Sequence, residues 1–173
     1  MNVEAQVTWT DGERFVANAS SGHAIVIDSD RQRNTAAGPM EMVLMGLCAC
    51  TATDVVSILR KKREPFVGVH VKAEAVRATK APTVYTAIKL IYTVSGHVSR
   101  KAVEDAVRLS EEKYCSVSAM LKLKPHAVKN IKAKIQLPVT TAPGTYYLIA
   151  FLDNSPAAQP VQVLVAASKH SQP

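Results

Sequence analysis

The sequence has few aromatic residues for its charge. Its 173 residues carry a formal net charge of +7 but include only three Phe and one Trp, and the basic residues are scattered along the chain. Proteins that bind single-stranded nucleic acid combine a basic groove with aromatic side chains on which bases stack. The composition therefore argues against a nucleic-acid partner and favours a solvated basic surface that could steer anionic substrates.

The features of a secreted protein are also missing. The first residues, MNVEAQVTWT, form neither a positively charged leader nor an apolar run of signal-peptide length. Cysteine occurs only three times, at Cys48, Cys50 and Cys115, and this odd number does not fit a disulfide framework. We therefore expect a cytoplasmic protein whose cysteines rest as thiols unless they do redox work.

Signatures of metal, nucleotide and hydrolase sites are absent from the sequence. The five histidines are scattered, and no CxxC or HExxH spacing occurs. There is no GxGxxG or GxxxxGK[ST] phosphate loop and no GxSxG turn. Spacing alone leaves a Ser/His/Asp hydrolase open, but no motif supports it. We predict no metal site and no cofactor.

One long apolar helix is predicted over residues 38–60, GPMEMVLMGLCACTATDVVSILR. Pro39 suits the first helical position, Glu41 lies in the first turn, and basic residues crowd the far end. Because almost no polar face interrupts it, we expect protein on most of its sides. Its length would also suit a membrane span, but Thr51 and Asp54 interrupt the apolar run, so we predict a soluble central helix and no membrane partner.

Alternating apolar and polar residues predict strands on both sides of this helix. The predicted strands cover residues 3–10, 14–20, 23–28, 67–76, 84–94 and 127–137. A second helix is predicted over residues 100–114 with Ser99 as its N-cap, and Ser116 is predicted to cap a short further helix. This order indicates an α+β fold in which antiparallel sheets surround the central helix.

The composition changes at the C-terminal end of the chain. Residues 139–173 contain two apolar runs, at 145–152 and 161–167, which predict an appended hairpin that packs on a sheet edge or on a partner. The main domain would then span residues 1–138. Since that domain has too little chain to cover the central helix on every side, we predict a homodimer in which two such helices shield each other.

The thiols are the strongest candidates for chemistry. Cys50 lies in the middle of the long helix and Cys115 at the end of a later one, and two thiols on separate elements can meet and form one disulfide. Cys48 is two residues from Cys50, about 200° around a helix, so the two point to different sides. Cys48 is interpreted as a small buried hydrophobe, and the same packing role is the alternative for Cys50.

The residues PMEMVLMGLCAC, followed by EEKYCSV 65 residues later, resemble the family of osmotically inducible protein C and organic hydroperoxide resistance proteins (OsmC/Ohr). The resemblance covers roughly residues 1–137 and is strongest to a poorly characterised OsmC-like branch. It implies an α+β fold in an intertwined homodimer with two central helices and active sites at the interface. It also implies reduction of organic hydroperoxides, with a dithiol of lipoyl or thioredoxin type as the reductant.

The resemblance implies a role for each of four residues. Cys50 would be the peroxidatic thiol and Cys115 the resolving thiol, whereas Cys48 has no counterpart in the pattern. Family members place an Arg over the reactive sulfur and orient it with a Glu. Glu41 is the candidate Glu, one position off in register, and its alternative role is that of a helix N-terminal acid. Arg33 is the candidate Arg, although a solvated loop residue is its alternative.

Two further features bear on activity. Arg14 and Arg31 are other candidates for the activating guanidinium. Asp54 lies one turn after Cys50 on the same face, where a carboxylate would raise the thiol pKa unless a cation pairs with it. We therefore carry three hypotheses: a thiol peroxidase, an OsmC-like module that binds an apolar or thiol-bearing small molecule without turnover, and a structural dimer whose cysteines pack in the core.

Overall fold

The structure is a computed structural model that describes residues 2–122 and the backbone of three later strands. In chain order its elements are β1 (Ala5–Asp11), β2 (Arg14–Ala19), β3 (Ala24–Asp28), α1 (Pro39–Lys61), β4 (Phe66–Arg77), β5 (Tyr85–Gly96), α2 (Arg100–Leu109), a π-helical segment (Ser110–Tyr114), α3 (Ser116–Leu121), β6 (Tyr146–Ile149), β7 (Leu152–Asp153) and β8 (Leu164–Ala166). Helices combined with antiparallel sheets confirm the predicted α+β class. The chain divides into two compact units, residues 1–46 and residues 47–173.

The first unit contains an antiparallel meander in the order β1-β2-β3, as the alternating pattern predicts. Gly12 has a φ of +52° in the turn between β1 and β2, a conformation that glycine adopts at little cost. The buried Asp28 carboxylate accepts hydrogen bonds from the backbone N–H groups of Asp30 (2.9 Å) and Thr35 (3.2 Å). These bonds hold the loop that leads to α1.

The long helix α1 begins and ends within one residue of its predicted limits. Pro39 occupies the first helical position. The Gly38 backbone N–H donates to Glu41 Oε2 at 2.7 Å, so the Glu41 carboxylate satisfies a donor that would otherwise lack a partner at the helix N-terminus. This contact is the one expected of a helix N-terminal acid, the alternative role considered for Glu41.

The second unit is organised around the β4–β5 hairpin. Alternate residues of β5 are buried: Ile88, Leu90, Tyr92 and Val94. One stripe of α1 is buried as well: Leu47, Thr51, Val55 and Leu59. Within a single chain the burial of α1 is confined to this stripe, so the expectation of protein on most sides of the helix is not met by one chain alone. The spacing of four residues places the stripe on a single helix face.

By length and composition alone, α1 could cross a membrane. One such helix is weak support for a span, because the core helices of soluble proteins pass the same test. Its buried polar residue Thr51 has hydroxyl partners on two other elements, which is the behaviour of a helix packed in a protein core.

The second helical region differs from its prediction in two places. Ser99 caps α2 as predicted, with its side chain accepting from the Ala102 backbone N–H at 3.2 Å. The helix then widens at Ser110 into a π-helical segment, a feature often found at functional sites. The N-cap of α3 is Cys115 and not Ser116, because the Cys115 sulfur accepts the Ser118 backbone N–H, whereas Ser116 is already helical.

The later strands extend the sheet of the second unit. β6 and β7 pair antiparallel with β5, and β6 also pairs antiparallel with β8, so backbone of the predicted C-terminal runs adds to a sheet edge. The predicted strand over residues 127–137 and the predicted domain boundary at 138/139 lie outside the described residues.

The π-helical segment carries an acid in an unfavourable setting. Burial raises the pKa of Glu111 from 4.5 to about 7, with Lys122 acting in the opposite direction and Glu112 adding to the rise. A carboxyl group whose pKa is higher in the folded state makes the folded state bind more protons. Stability contributed by the neutral Glu111 is therefore complete below about pH 4.5 and is lost as the pH rises toward about 7.

We expect Glu111→Gln to remove this dependence. Relative to the natural protein, the variant should gain about 1–3 kcal/mol in free energy of unfolding between pH 4.5 and pH 8, because it has no carboxylate to desolvate. Urea unfolding at a series of pH values measures the difference. Glu4→Gln, which changes an exposed carboxylate of the first unit, is the control and should leave the pH profile unchanged. Parallel profiles for the natural protein and Glu111→Gln would contradict the assignment.

Candidate functional site

The candidate site lies where α1 meets the start of α3, within the second unit. Cys50 and Asp54 are four residues apart on α1 and so share a face of the helix. Cys50 Sγ, Cys115 Sγ and a carboxylate oxygen of Asp54 lie within 4.8 Å of one another. Both cysteines are free thiols; Cys115 is buried, whereas Cys50 and Asp54 are half-buried. The structure thus brings together the two cysteines that sequence reasoning selected, with Asp54 beside them on the face of α1 where helix spacing placed it.

A chain of buried hydroxyl groups ends on the Asp54 carboxylate. Tyr92 OH lies 2.5 Å from Thr51 Oγ1, which lies 3.0 Å from Ser110 Oγ, and Ser110 Oγ donates to Asp54 Oδ2 at 2.8 Å. Because an ionised carboxylate can only accept, each hydroxyl must donate toward Asp54. Tyr92 therefore donates to Thr51, and Thr51 donates to Ser110.

Burial keeps the proton on Tyr92, the first donor of this chain. Burial raises the pKa of the Tyr92 phenol above its usual value, although its bond to Thr51 opposes the shift. The hydroxyls of Thr51, Ser110 and Tyr92 are buried, and such groups are stable in a core only when they find partners. The chain consequently orients Asp54 through a rigid, fully protonated set of donors.

Sequence reasoning did not select Thr51, Tyr92 or Ser110. A signal was present for Thr51, which is a polar residue in the apolar stripe between Leu47 and Val55. Ser110 gave a similar signal, because it follows the buried Ala106 by four residues and the buried Val107 by three, a spacing that places it on the same helix face.

The surroundings of Cys115 act on its ionisation in both directions. Burial raises the pKa of the Cys115 thiol, and the neighbouring Cys50 adds to the rise. The Ser118 hydroxyl and the Ser118 backbone N–H, which lies 3.4 Å from the sulfur, act to lower it. Cys115 is therefore protonated at neutral pH. Two donors of Ser118 lie beside its sulfur and would stabilise the thiolate when it forms.

Cys48 lies outside this cluster. Burial raises the pKa of its thiol, and its polar neighbour is the backbone of Ala73 in β4. Its side chain thus faces the β4–β5 hairpin, whereas Cys50 faces Cys115. This difference confirms the prediction that the two cysteines of α1 point to different sides.

The other predicted site residues belong to the first unit. Arg33 Nη1 binds Asp11 Oδ1 at 2.5 Å, and this hydrogen bond raises the pKa of the guanidinium. Arg14 Nη1 lies 3.6 Å from Asp11 Oδ2, and its buried Nε has no hydrogen-bond partner among the described residues. The roles assigned to Glu41 and Arg33 beside Cys50 stay predictions.

A cavity of about 290 Å³ opens beside Asp54. Ile58 and Leu109 supply apolar wall, and Lys61 and Lys62 supply positive charge. The Lys62 ammonium is engaged by Asp105 at 2.7 Å. The cavity gives small molecules or ions a route to the acid of the thiol cluster.

The arrangement can carry out two kinds of chemistry. Two thiols this close on separate elements can form a disulfide once their sulfurs move toward each other, as a dithiol redox site requires. In the part of the chain that the structure describes, the same cluster is also the one group of three side chains of metal-ligating type.

Comparisons with known proteins place the chain in a family. A family model described as OsmC-like protein matches residues 32–129. Protein YhfA of Escherichia coli K12 is 44% identical over 120 residues, which are 69% of this chain and 89% of YhfA.

Solved structures agree with this match. The crystal structure of a hypothetical protein from Aquifex aeolicus VF5 has 34% identity and a TM-score of 0.65, covering 70% of this chain and 88% of that one. An organic hydroperoxide resistance protein from Elizabethkingia anophelis has 14% identity and a TM-score of 0.52 over 70% of this chain and 89% of its own, which shows a shared fold only. On the family match and the identity to YhfA, the chain belongs to the OsmC-like protein family.

Proposed function

We propose that this protein reduces organic hydroperoxides by a two-cysteine mechanism, with Cys50 as the peroxidatic and Cys115 as the resolving thiol. The observation that carries the proposal is the pair of free thiols, within 4.8 Å of each other on separate elements. Fold neighbours titled as organic hydroperoxide resistance proteins support it at the level of the fold.

The proposed reaction has three steps. The Cys50 sulfur attacks one oxygen of the hydroperoxide, the O–O bond breaks, and an alcohol leaves with the proton as Cys50 becomes a sulfenic acid. The Cys115 thiol then attacks that sulfur, and a disulfide and water form. A dithiol of lipoyl or thioredoxin type reduces the disulfide by exchange and is itself oxidised.

Asp54 supplies the proton acceptor in this scheme. Its carboxylate lies beside the Cys50 sulfur and is held by the Ser110 hydroxyl, so it can take the thiol proton as the sulfur attacks and pass it to the departing alkoxide. The acid that would disfavour a resting thiolate thus serves as a base. Two of the candidate arginines, Arg14 and Arg33, pair with Asp11, and the buried Nε of Arg14 has no hydrogen-bond partner among the described residues.

The partners and location follow the same proposal. The protein works in the cytoplasm on a hydroperoxide and a dithiol, without nucleic acid or membrane. It acts as a homodimer, because a lone chain leaves Val7 and Trp9 of β1 and Met45 of α1 more than half exposed (59%, 62% and 55%).

One observation favours a second function. Within residues 47–122, no Lys or Arg forms an ion pair with Asp54. An uncompensated carboxylate beside two thiols suits a module that binds a small molecule without turnover. Assays of organic hydroperoxide and H₂O₂ consumption, run side by side with a dithiol reductant, separate the two: consumption of the organic peroxide supports the enzyme, and consumption of neither supports the module.

The first prediction concerns the nucleophile. Cys50→Ser should lower the rate of cumene hydroperoxide reduction by about a thousandfold or more, because a serine hydroxyl is a far weaker nucleophile at neutral pH. Cys48→Ser is the matched control, since Cys48 faces β4, and it should keep the natural rate. Peroxide consumption with a dithiol reductant is the measurement, and an active Cys50→Ser variant would refute the role.

The second prediction concerns the resolving thiol. In Cys115→Ser, the sulfenic acid on Cys50 has no thiol to condense with, so it should accumulate after one equivalent of peroxide. A dimedone-type probe followed by peptide mass spectrometry should place the label on Cys50. The natural protein should remain unlabelled. If Cys115→Ser also remains unlabelled, the result counts against resolution by Cys115.

The third prediction concerns assembly. Light scattering coupled to size-exclusion chromatography should give about twice the mass of the 18.7 kDa chain. Met45→Glu should shift the mass toward one chain, since a charge would be buried at a dimer interface. Lys101→Glu changes an exposed position on α2 and is the control. A single-chain mass for the natural protein would exclude the homodimer.

A further inference from the structure

We propose that Cys50, Asp54 and Cys115 form a binding site for a soft divalent cation, with Zn²⁺ as the best match. The three ligand atoms lie within 4.8 Å of one another in the second unit. Zn²⁺ takes cysteine sulfur at about 2.3 Å and carboxylate oxygen at about 2.0–2.2 Å in tetrahedral geometry. These lengths require ligand separations of roughly 3.5–3.8 Å, so the atoms need to move by only about 1 Å.

The donor set selects the type of ion. Thiolates favour Zn²⁺ and other soft cations, whereas Mg²⁺ and Ca²⁺ require sets of oxygen ligands. Three protein ligands leave a fourth position for water or for a small molecule that enters through the cavity beside Asp54.

The acid of the site is held as a metal ligand would be. Ser110 Oγ donates to Asp54 Oδ2 at 2.8 Å, and the Thr51 and Tyr92 hydroxyls fix Ser110 from behind. This arrangement orients the carboxylate and leaves its second oxygen for the cation. Such outer-shell partners commonly change metal affinity by 10–100-fold when they are removed.

Two hydrogen-bond donors of Ser118 lie beside the Cys115 sulfur. Ser118 is fully buried, and its hydroxyl has no hydrogen-bond partner of ordinary geometry among the described residues. This hydroxyl lies near the Cys115 sulfur, which also accepts the Ser118 backbone N–H at 3.4 Å. A buried donor without another partner beside a thiol is an observation, independent of the three ligands, that points to a bound anionic sulfur.

In residues 47–122 no Lys or Arg pairs with Asp54, and the nearby Lys62 ammonium is engaged by Asp105. Two thiolates and a carboxylate can coexist at this separation only with a cation among them. On binding, each thiol releases its proton to solvent as a metal–sulfur bond forms, and no electron is transferred. The ion occupies both sulfurs, so it excludes disulfide formation and blocks the proposed peroxide reaction.

The test uses the full-length reduced protein without oxygen, with Co²⁺ as the spectroscopic probe and Zn²⁺ as its competitor. We expect one Co²⁺ per chain, with thiolate-to-cobalt charge-transfer absorption that Zn²⁺ abolishes. Cys50→Ser and Cys115→Ser should each remove this absorption. Asp54→Asn and Ser110→Ala should each weaken binding about tenfold or more. Cys48→Ser is the control and should bind as the natural protein does.

Several outcomes would overturn the site. These are no thiolate-to-cobalt absorption, equal binding after oxidation of the two thiols to a disulfide, and unchanged affinity in Asp54→Asn. Alkylation of the natural protein keeps the test decisive if a variant fails to fold: Zn²⁺ should protect Cys50 and Cys115 at least about tenfold but leave Cys48 unprotected. Equal protection of all three cysteines would also refute the site. Because these measurements record binding, their result is independent of whether the protein consumes peroxide.

Discussion

The hydrogen-bond chain from Tyr92 to Asp54 is the interaction on which the candidate site depends. It joins β5, α1 and the π-helical segment, and its direction is set because the terminal carboxylate can only accept. Ser110 has a further role, since its carbonyl accepts the Cys115 backbone N–H at 2.8 Å and so fixes where the second thiol begins. The position of Cys115 opposite Cys50 is therefore tied to the same buried contacts that orient the acid.

Both proposals start from the same electrostatic feature of the site. An acid and two thiols share a half-buried space in which, among residues 47–122, no cation pairs with the acid. A proton can reduce the repulsion between the Asp54 carboxylate and an ionising thiol. In the proposed peroxide reaction, Asp54 accepts this proton from Cys50 and passes it to the leaving alkoxide. A divalent cation reduces the repulsion among the carboxylate and both thiolates further, but it binds the two sulfurs. The two states are mutually exclusive, and the cavity with its basic wall borders Asp54, the residue that both proposals use.

The family assignment limits what similarity can contribute to function. The relatives with appreciable identity are named without an activity, and the organic hydroperoxide resistance proteins share the fold at about 14–15% identity. The geometry of the site therefore carries the functional argument. That geometry places Asp54 beside the two thiols of the second unit, whereas the roles of Glu41 and Arg33 beside Cys50 stay predictions.

The sequence by itself determined the local structure: the strands followed from alternation, α1 followed from Pro39 and its apolar run, and the divergence of Cys48 from Cys50 followed from helix periodicity. Local patterns encode these features because they depend on neighbours within a few residues. Tertiary structure alone decided that a hydroxyl chain orients Asp54 and that Cys115 lies opposite Cys50. These contacts join residues more than 40 positions apart, so no local period records them.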